Sequence, residues 1–143
     1  MANADRLRPA PQDRFAESAQ LLDLVAATAR LRAEAHPAID GHRQVALGRH
    51  GDVTLVLFAF DGGGFHELHT VPGVVTLHTL RGHMKVRTEG DGEHDVPAGR
   101  LLTLAPNVPH SVHAVQPGEM LMTVHLMKEE EGAGPDPGSS VAG

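Results

Sequence analysis

The chain has 143 residues, of which 41% are hydrophobic, enough for one compact domain and too few for two independent cores. It contains no cysteine, so disulfides and thiolate metal sites are excluded, and a transition metal would need imidazole or carboxylate ligands. A formal charge of -6 without a basic stripe argues against nucleic-acid binding, since a phosphate backbone is bound by clustered Lys and Arg. No secretory leader or long apolar run is recognisable, which predicts a cytoplasmic protein without membrane contact.

The N-terminal region predicts a short leader followed by one helix. Residues 1–12 are polar and carry two prolines, so we expect a disordered leader. Asp13 is a plausible N-cap, and apolar residues then recur every three to four positions, which predicts an amphipathic helix over 13–35. Its apolar stripe would pack on the rest of the domain or across a dimer; a regulatory or partner-docking helix is the alternative.

Residues 36–127 are predicted to form about nine short strands separated by glycine and proline turns. Val53–Phe60 reads VTLVLFAF, an apolar run typical of a strand that is buried on both faces. Gly90-Asp91-Gly92 is a strong hairpin signal. The spacing favours an all-β antiparallel barrel or sandwich. Residues 128–143 have almost no apolar side chains after Lys128, and we expect a disordered tail there.

Histidine is the compositional outlier, with eleven residues that lie mostly in the strand-rich region. His66 and His69 follow the three glycines Gly62 to Gly64, and His110 and His113 follow a Pro-Asn-Val-Pro turn. Two strands that carry histidines can meet inside a small antiparallel barrel, where alternate side chains point inward. The histidines at 36, 42 and 50 are interpreted as loop or surface residues.

These two stretches resemble the two motifs of the small single-domain cupins, over roughly residues 48–127. The resemblance is carried by a glycine-rich turn with a following His, a strand closed by Leu-x-Gly, and a Pro-x-x-Pro-His turn before a last apolar strand. It implies an RmlC-like jelly-roll barrel of bacterial type, with His69 and His110 at the metal-ligand positions of the first and second motif. The other two usual ligands of the first motif would fall near Val71 and Val75, so the first motif is divergent.

A third ligand could come from His78 or His113. A register shift at Pro72-Gly73 would turn His78 toward the interior. His113 lies three residues beyond His110, so in a regular strand it faces the other way, and only a β-bulge would return it to the pocket. His66 would lie near the mouth of the pocket. Glu67 is read either as a carboxylate ligand or base, or as an exposed turn residue.

The leading hypothesis is a divalent-metal cupin that binds a small organic molecule. His69, His110, His78 and His113 are the candidate ligands, and the metal would be Zn, Fe, Ni, Mn or Cu. Dioxygenase-like oxidation is the first reaction class to test, and the cupin family also includes isomerases. The alternative is a metal-free module that binds or senses a small ligand through hydrogen bonds. We also expect a homodimer, because the helix and Val53–Phe60 offer more apolar surface than one barrel covers.

Overall fold

The computed structural model describes residues 18–90 and 92–127, which form one helix and seven strands. The strands pair antiparallel in the order β1-β2-β7-β4-β5, while β3 also pairs with β7 and β6 with β4. This architecture confirms the predicted all-β jelly roll. The elements are α1 (Leu24–Arg32), β1 (His42–His50), β2 (Val53–Phe60), β3 (Phe65–His69), β4 (Gly73–Thr88), β5 (Gly92–Pro97), β6 (Leu101–Leu104) and β7 (His110–Leu126).

Two long strands, β4 and β7, replace four of the short strands that the sequence predicts. Arg81-Gly82 lies inside β4, and Pro117-Gly118 lies inside β7, so neither glycine ends its strand. The pairing of β4 with β7 shifts register between Thr79 and Met84, and Gly82 has a φ of 88°. A Cβ atom on Gly118 would lie 1.9 Å from the carbonyl oxygen of Arg81. Bulges therefore disrupt the regular pairing locally, at a close backbone crossing, while both strands continue beyond them.

The apolar side chains form two cores on opposite faces of the sheet. The central strand β2 contributes to both, as its continuous apolar sequence predicts: Phe58 and Phe60 point into the barrel, and Leu57 and Ala59 point to the outer face under α1. The inner core also contains Val75, Leu77, Met84, Val86, Val96, Leu104, Val112, Ala114, Met120 and Met122.

Helix α1 is shorter than the predicted helix over 13–35. It begins after Asp23, whose side chain accepts a hydrogen bond from the backbone N–H of Ala26 at 3.0 Å, and it ends at Arg32. Residues 18–23 and 33–35 are not helical; the cap at Asp23 fixes where the first turn begins. The expected N-cap Asp13, the leader and the tail lie outside the described residues. Within those residues, no helix is long and apolar enough to cross a membrane.

A buried carboxylate joins α1 to the barrel. Glu119 on β7 accepts hydrogen bonds at 2.8 Å from Arg32 Nη2 and from Arg81 Nε. Arg32 Nη2 also donates to the carbonyl oxygens of Phe60 and Gly118 at 3.1 Å. The end of the helix is thereby tied to the strands β2 and β7.

Candidate functional site

Four histidine rings meet two phenylalanine rings on the inner face of the barrel. We call His42, His66, His69 and His110 the histidine cluster. Their ring centroids follow one another at 5.2 Å from His42 to His66, 4.7 Å from His66 to His69 and 4.5 Å from His69 to His110. The rings come from the start of β1, from β3 and from the start of β7. Phe58 and Phe60 stack at 5.8 Å beneath His42.

Strand pairing explains how His69 reaches His110. β3 pairs antiparallel with β7, and the two histidines are direct cross-strand partners. His66 is opposite Val112, and the register shifts between His66 and His69. In a regular strand, residues three positions apart face opposite sides, so this irregularity is what lets both imidazoles of β3 join one cluster.

The backbone orients two of these rings in the same way. The Nδ1 atoms of His69 and His110 lie 3.1 Å from the carbonyl oxygens of Glu67 and Val108, two residues upstream in each case. Because a carbonyl can only accept, Nδ1 carries the proton and Nε2 keeps a free lone pair. His110 is 1% exposed, and its buried Nε2 has no hydrogen-bond partner among the described residues. A buried nitrogen without a partner marks a place where another group can bind.

The cluster favours uncharged imidazoles. Burial, and then the neighbouring His69, His42 and His110, lower the pKa of His66 from 6.5 to about 4. Burial also lowers the pKa of His110. The hydrogen bond to the carbonyl of Val108 raises this pKa, and His69 lowers it by a smaller amount. Both rings are therefore neutral at pH 7, the form that binds a metal or accepts a hydrogen bond.

His78 and His113 lie away from the cluster. In β4 the buried inner-face residues are Val75, Leu77 and Thr79, so His78 lies on the outer face; the register shift expected at Pro72-Gly73 does not turn it inward. His113 is exposed on β7 and stacks on Phe65 with centroids 5.6 Å apart. The structure therefore does not bring either ring next to His69 and His110, because strand parity holds at both positions.

His42 is the cluster residue that the sequence reasoning missed. It was interpreted as a loop or surface residue, but it is half-buried at the start of β1, directly opposite Phe60. Pairing β1 with β2 as a hairpin across Gly51 would have brought it near Phe60. The exact register depends on a bulge between Ala46 and Gly48, for which the sequence carries no clear signal. Glu67 is exposed, and it lies within β3 rather than in a turn.

The side chains in the described ranges, 18–90 and 92–127, include no group of three or more His, Cys, Asp or Glu residues placed to hold a metal ion. The three-histidine site expected from His69, His110 and His78 is therefore not formed. The geometry leaves a pair of like-oriented imidazoles, His69 and His110, with His66 and His42 beside them.

Comparison with known structures identifies the fold. A conserved protein of unknown function from Streptococcus pyogenes is 23% identical, with a TM-score of 0.60, over 79% of this chain and 92% of that one. A cupin superfamily protein from Desulfitobacterium hafniense is 18% identical, with a TM-score of 0.58, over 68% of this chain and 88% of that one. A salicylate 1,2-dioxygenase from Pseudaminobacter salicylatoxidans is 16% identical, with a TM-score of 0.59, over 70% of this chain and 31% of that one.

A search of curated proteins found no match. Residues 50–128 match the family described as AraC-like ligand binding domain. This range runs from the end of β1 through β7, and so includes three members of the histidine cluster, His66, His69 and His110. The resemblance to small cupins read from the sequence is confirmed, and the chain belongs to the family of AraC-like ligand binding domains.

Proposed function

We propose that this domain binds a small organic molecule inside its barrel, beside a divalent metal held by His69 and His110. The membership in a ligand-binding family supports the first part. One observation supports the second: both rings donate Nδ1–H to a backbone carbonyl, and the free Nε2 of His110 is buried without a partner. Histidines that bind metals are oriented by this kind of hydrogen bond from the second ring nitrogen.

The donor set suits a borderline metal ion. Two imidazole ligands in a chain without cysteine fit Zn, Fe, Ni, Mn or Cu, and they do not select among these ions. A bound divalent ion would supply Lewis-acid chemistry to a molecule in the barrel. The protein itself orients His69 and His110, keeps His66 neutral beside them, and provides the apolar rings of Phe58 and Phe60. Dioxygenase-like oxidation remains the first reaction class to test, and isomerisation is another.

Metal content of the purified protein tests this function. We expect metal in the wild type, and a loss of most of it in His69→Ala and in His110→Ala. His113→Ala is the matched control, because His113 is exposed outside the cluster. A metal at a hundredfold excess over Kd stabilises the fold by about 2.7 kcal/mol, so EDTA should lower the melting temperature of the wild type and of the control only. Equal metal content in all four proteins, or none in the wild type, would contradict the metal site.

A metal-free binding module is the second candidate. It is favoured by the lack of a three-residue metal group in the described part of the chain, and by two buried imidazole nitrogens without partners, on His42 and His110. In that case the imidazoles bind the organic molecule directly through hydrogen bonds. Added metal or EDTA would then leave the melting temperature of the wild type unchanged at neutral pH.

We also propose that the domain is a cytoplasmic homodimer. Support for the dimer comes from the N-terminal side of the domain, where Leu21 is 100% exposed and Val25 is 82% exposed. Burying such side chains against a second copy would remove apolar surface from water.

A further inference from the structure

His42 is in the opposite tautomer from His69 and His110. Its Nε2 lies 3.2 Å from the side-chain oxygen Oε1 of Gln44, which can only accept, so Nε2 carries the proton. Its Nδ1 is therefore a hydrogen-bond acceptor, and it is buried without a partner. Buried polar atoms are normally paired, so this lone pair is available to a donor that enters the cluster.

The ring of His42 lies next to three aromatic rings, those of Phe58, Phe60 and His66. The ring of His42 lies 5.8 Å from Phe58 and 5.5 Å from Phe60, and these two phenylalanines are nearly parallel at 9°. An ionised carboxylate at Nδ1 would place an acceptor against a lone pair, whereas a hydroxyl would donate its proton to that lone pair among aromatic rings.

We propose that Nδ1 of His42 accepts a hydrogen bond from the hydroxyl group of a neutral ligand with a flat apolar body, such as a phenol or a cyclic alcohol. This rests on the proposed binding of a small molecule in the barrel, and it does not depend on a metal. His42 is then a specificity-determining residue: its acceptor distinguishes a hydroxyl compound from its methyl ether, which has no proton to donate.

Nitrogen-15 NMR of the histidine side chains, with phenol and anisole as probes, tests the proposal. We expect His42 to be protonated on Nε2, and His69 and His110 on Nδ1, in the free protein. Phenol should move the Nδ1 resonance of His42, and it should bind about tenfold more tightly than anisole, as expected for one hydrogen bond to a buried acceptor. His42→Phe keeps an aromatic ring and removes the acceptor, so the preference for phenol should disappear. His113→Phe is the control and should keep it.

The outcomes separate this inference from the proposed function. Protonation of His42 on Nδ1, equal binding of phenol and anisole, an unchanged preference in His42→Phe, or no phenol binding up to its solubility limit would each overturn the inference. If the metal content still depends on His69 and His110 in those cases, the proposed metal site is supported although the inference about His42 is wrong. If the purified protein contains no metal and its preference for phenol requires His42, the inference is supported and the proposed metal site is contradicted.

Discussion

At the residue scale, His66 lies among three other imidazoles, and its pKa is lowered to about 4. In the unfolded chain the ring titrates near its ordinary value of about 6.5. Between these two values the unfolded state binds more protons than the folded state, so this residue makes stability fall as the pH drops from about 6.5 toward 4. Above about pH 6.5 the ring of His66 is neutral in both states, so it no longer lowers the free energy of unfolding.

Replacing His66 tests this pH dependence. His66→Gln removes the titrating group, so we expect a smaller loss of melting temperature between about pH 7 and pH 5 than in the wild type. The melts are recorded in EDTA, so that metal release does not contribute to the difference. His113→Gln serves as the control, because it removes an exposed histidine outside the cluster. A wild-type pH dependence in His66→Gln would refute the assignment.

At the element scale, the attachment of α1 depends on Glu119. Burial would raise the pKa of this carboxyl group, but hydrogen bonds from Arg81 and Arg32 hold it below its usual range. Glu119→Gln removes the charge, and we expect it to lower the free energy of unfolding by about 2 kcal/mol, less than for a fully buried ion pair because the Arg81 side chain is 60% exposed.

The matched control for this prediction is Glu93→Gln. Glu93 also accepts two hydrogen bonds from one arginine, Arg87, but on the exposed surface of the β4–β5 hairpin. Exposed ion pairs are screened by water and contribute little, so we expect no measurable change in chemical denaturation. Equal losses in Glu119→Gln and Glu93→Gln would show that the buried network does not hold α1 in place.

At the scale of the whole molecule, the outer side of α1 is the surface that a second copy would cover. Between the segment 20–34 and β1 lies an open cavity of about 230 Å³, lined in part by Leu22, Ala27 and Leu47. The exposed Leu21 lies three residues before α1, and the exposed Val25 lies in its first turn. A dimer that uses this surface would bury both side chains, which one isolated domain leaves in water.

Light scattering at micromolar concentration checks this arrangement. We expect a dimer for the wild type and a monomer for Val25→Glu, because a charge at the centre of an apolar interface would have to be buried without a partner. Val115→Glu is the control, since Val115 is 54% exposed on β7, far along the chain from α1, and that variant should stay dimeric. A monomeric wild type would contradict the proposed dimer.

The local sequence determined much of the fold. The apolar run Val53–Phe60, the glycine turns and the hairpin at Gly90-Asp91-Gly92 predict antiparallel strands, because strand formation and turn chemistry depend on neighbouring residues. The resemblance of two stretches to the cupin motifs pointed to His69 and His110, which the fold brings face to face. Each of these signals is contained in a few consecutive residues, so no knowledge of distant contacts was needed.

The tertiary structure decided which side chains share a face. Bulges near Gly82 and Gly118 join predicted strands into the long β4 and β7, and a shift in β3 brings His66 beside His69. Strand parity leaves His78 outside the barrel, and the register of β1 on β2 brings His42 in. A shift of one residue reverses the face of every side chain that follows, and the register is set by pairing between strands far apart in the chain. The composition of the histidine cluster therefore depended on long-range pairing, which the local sequence does not encode.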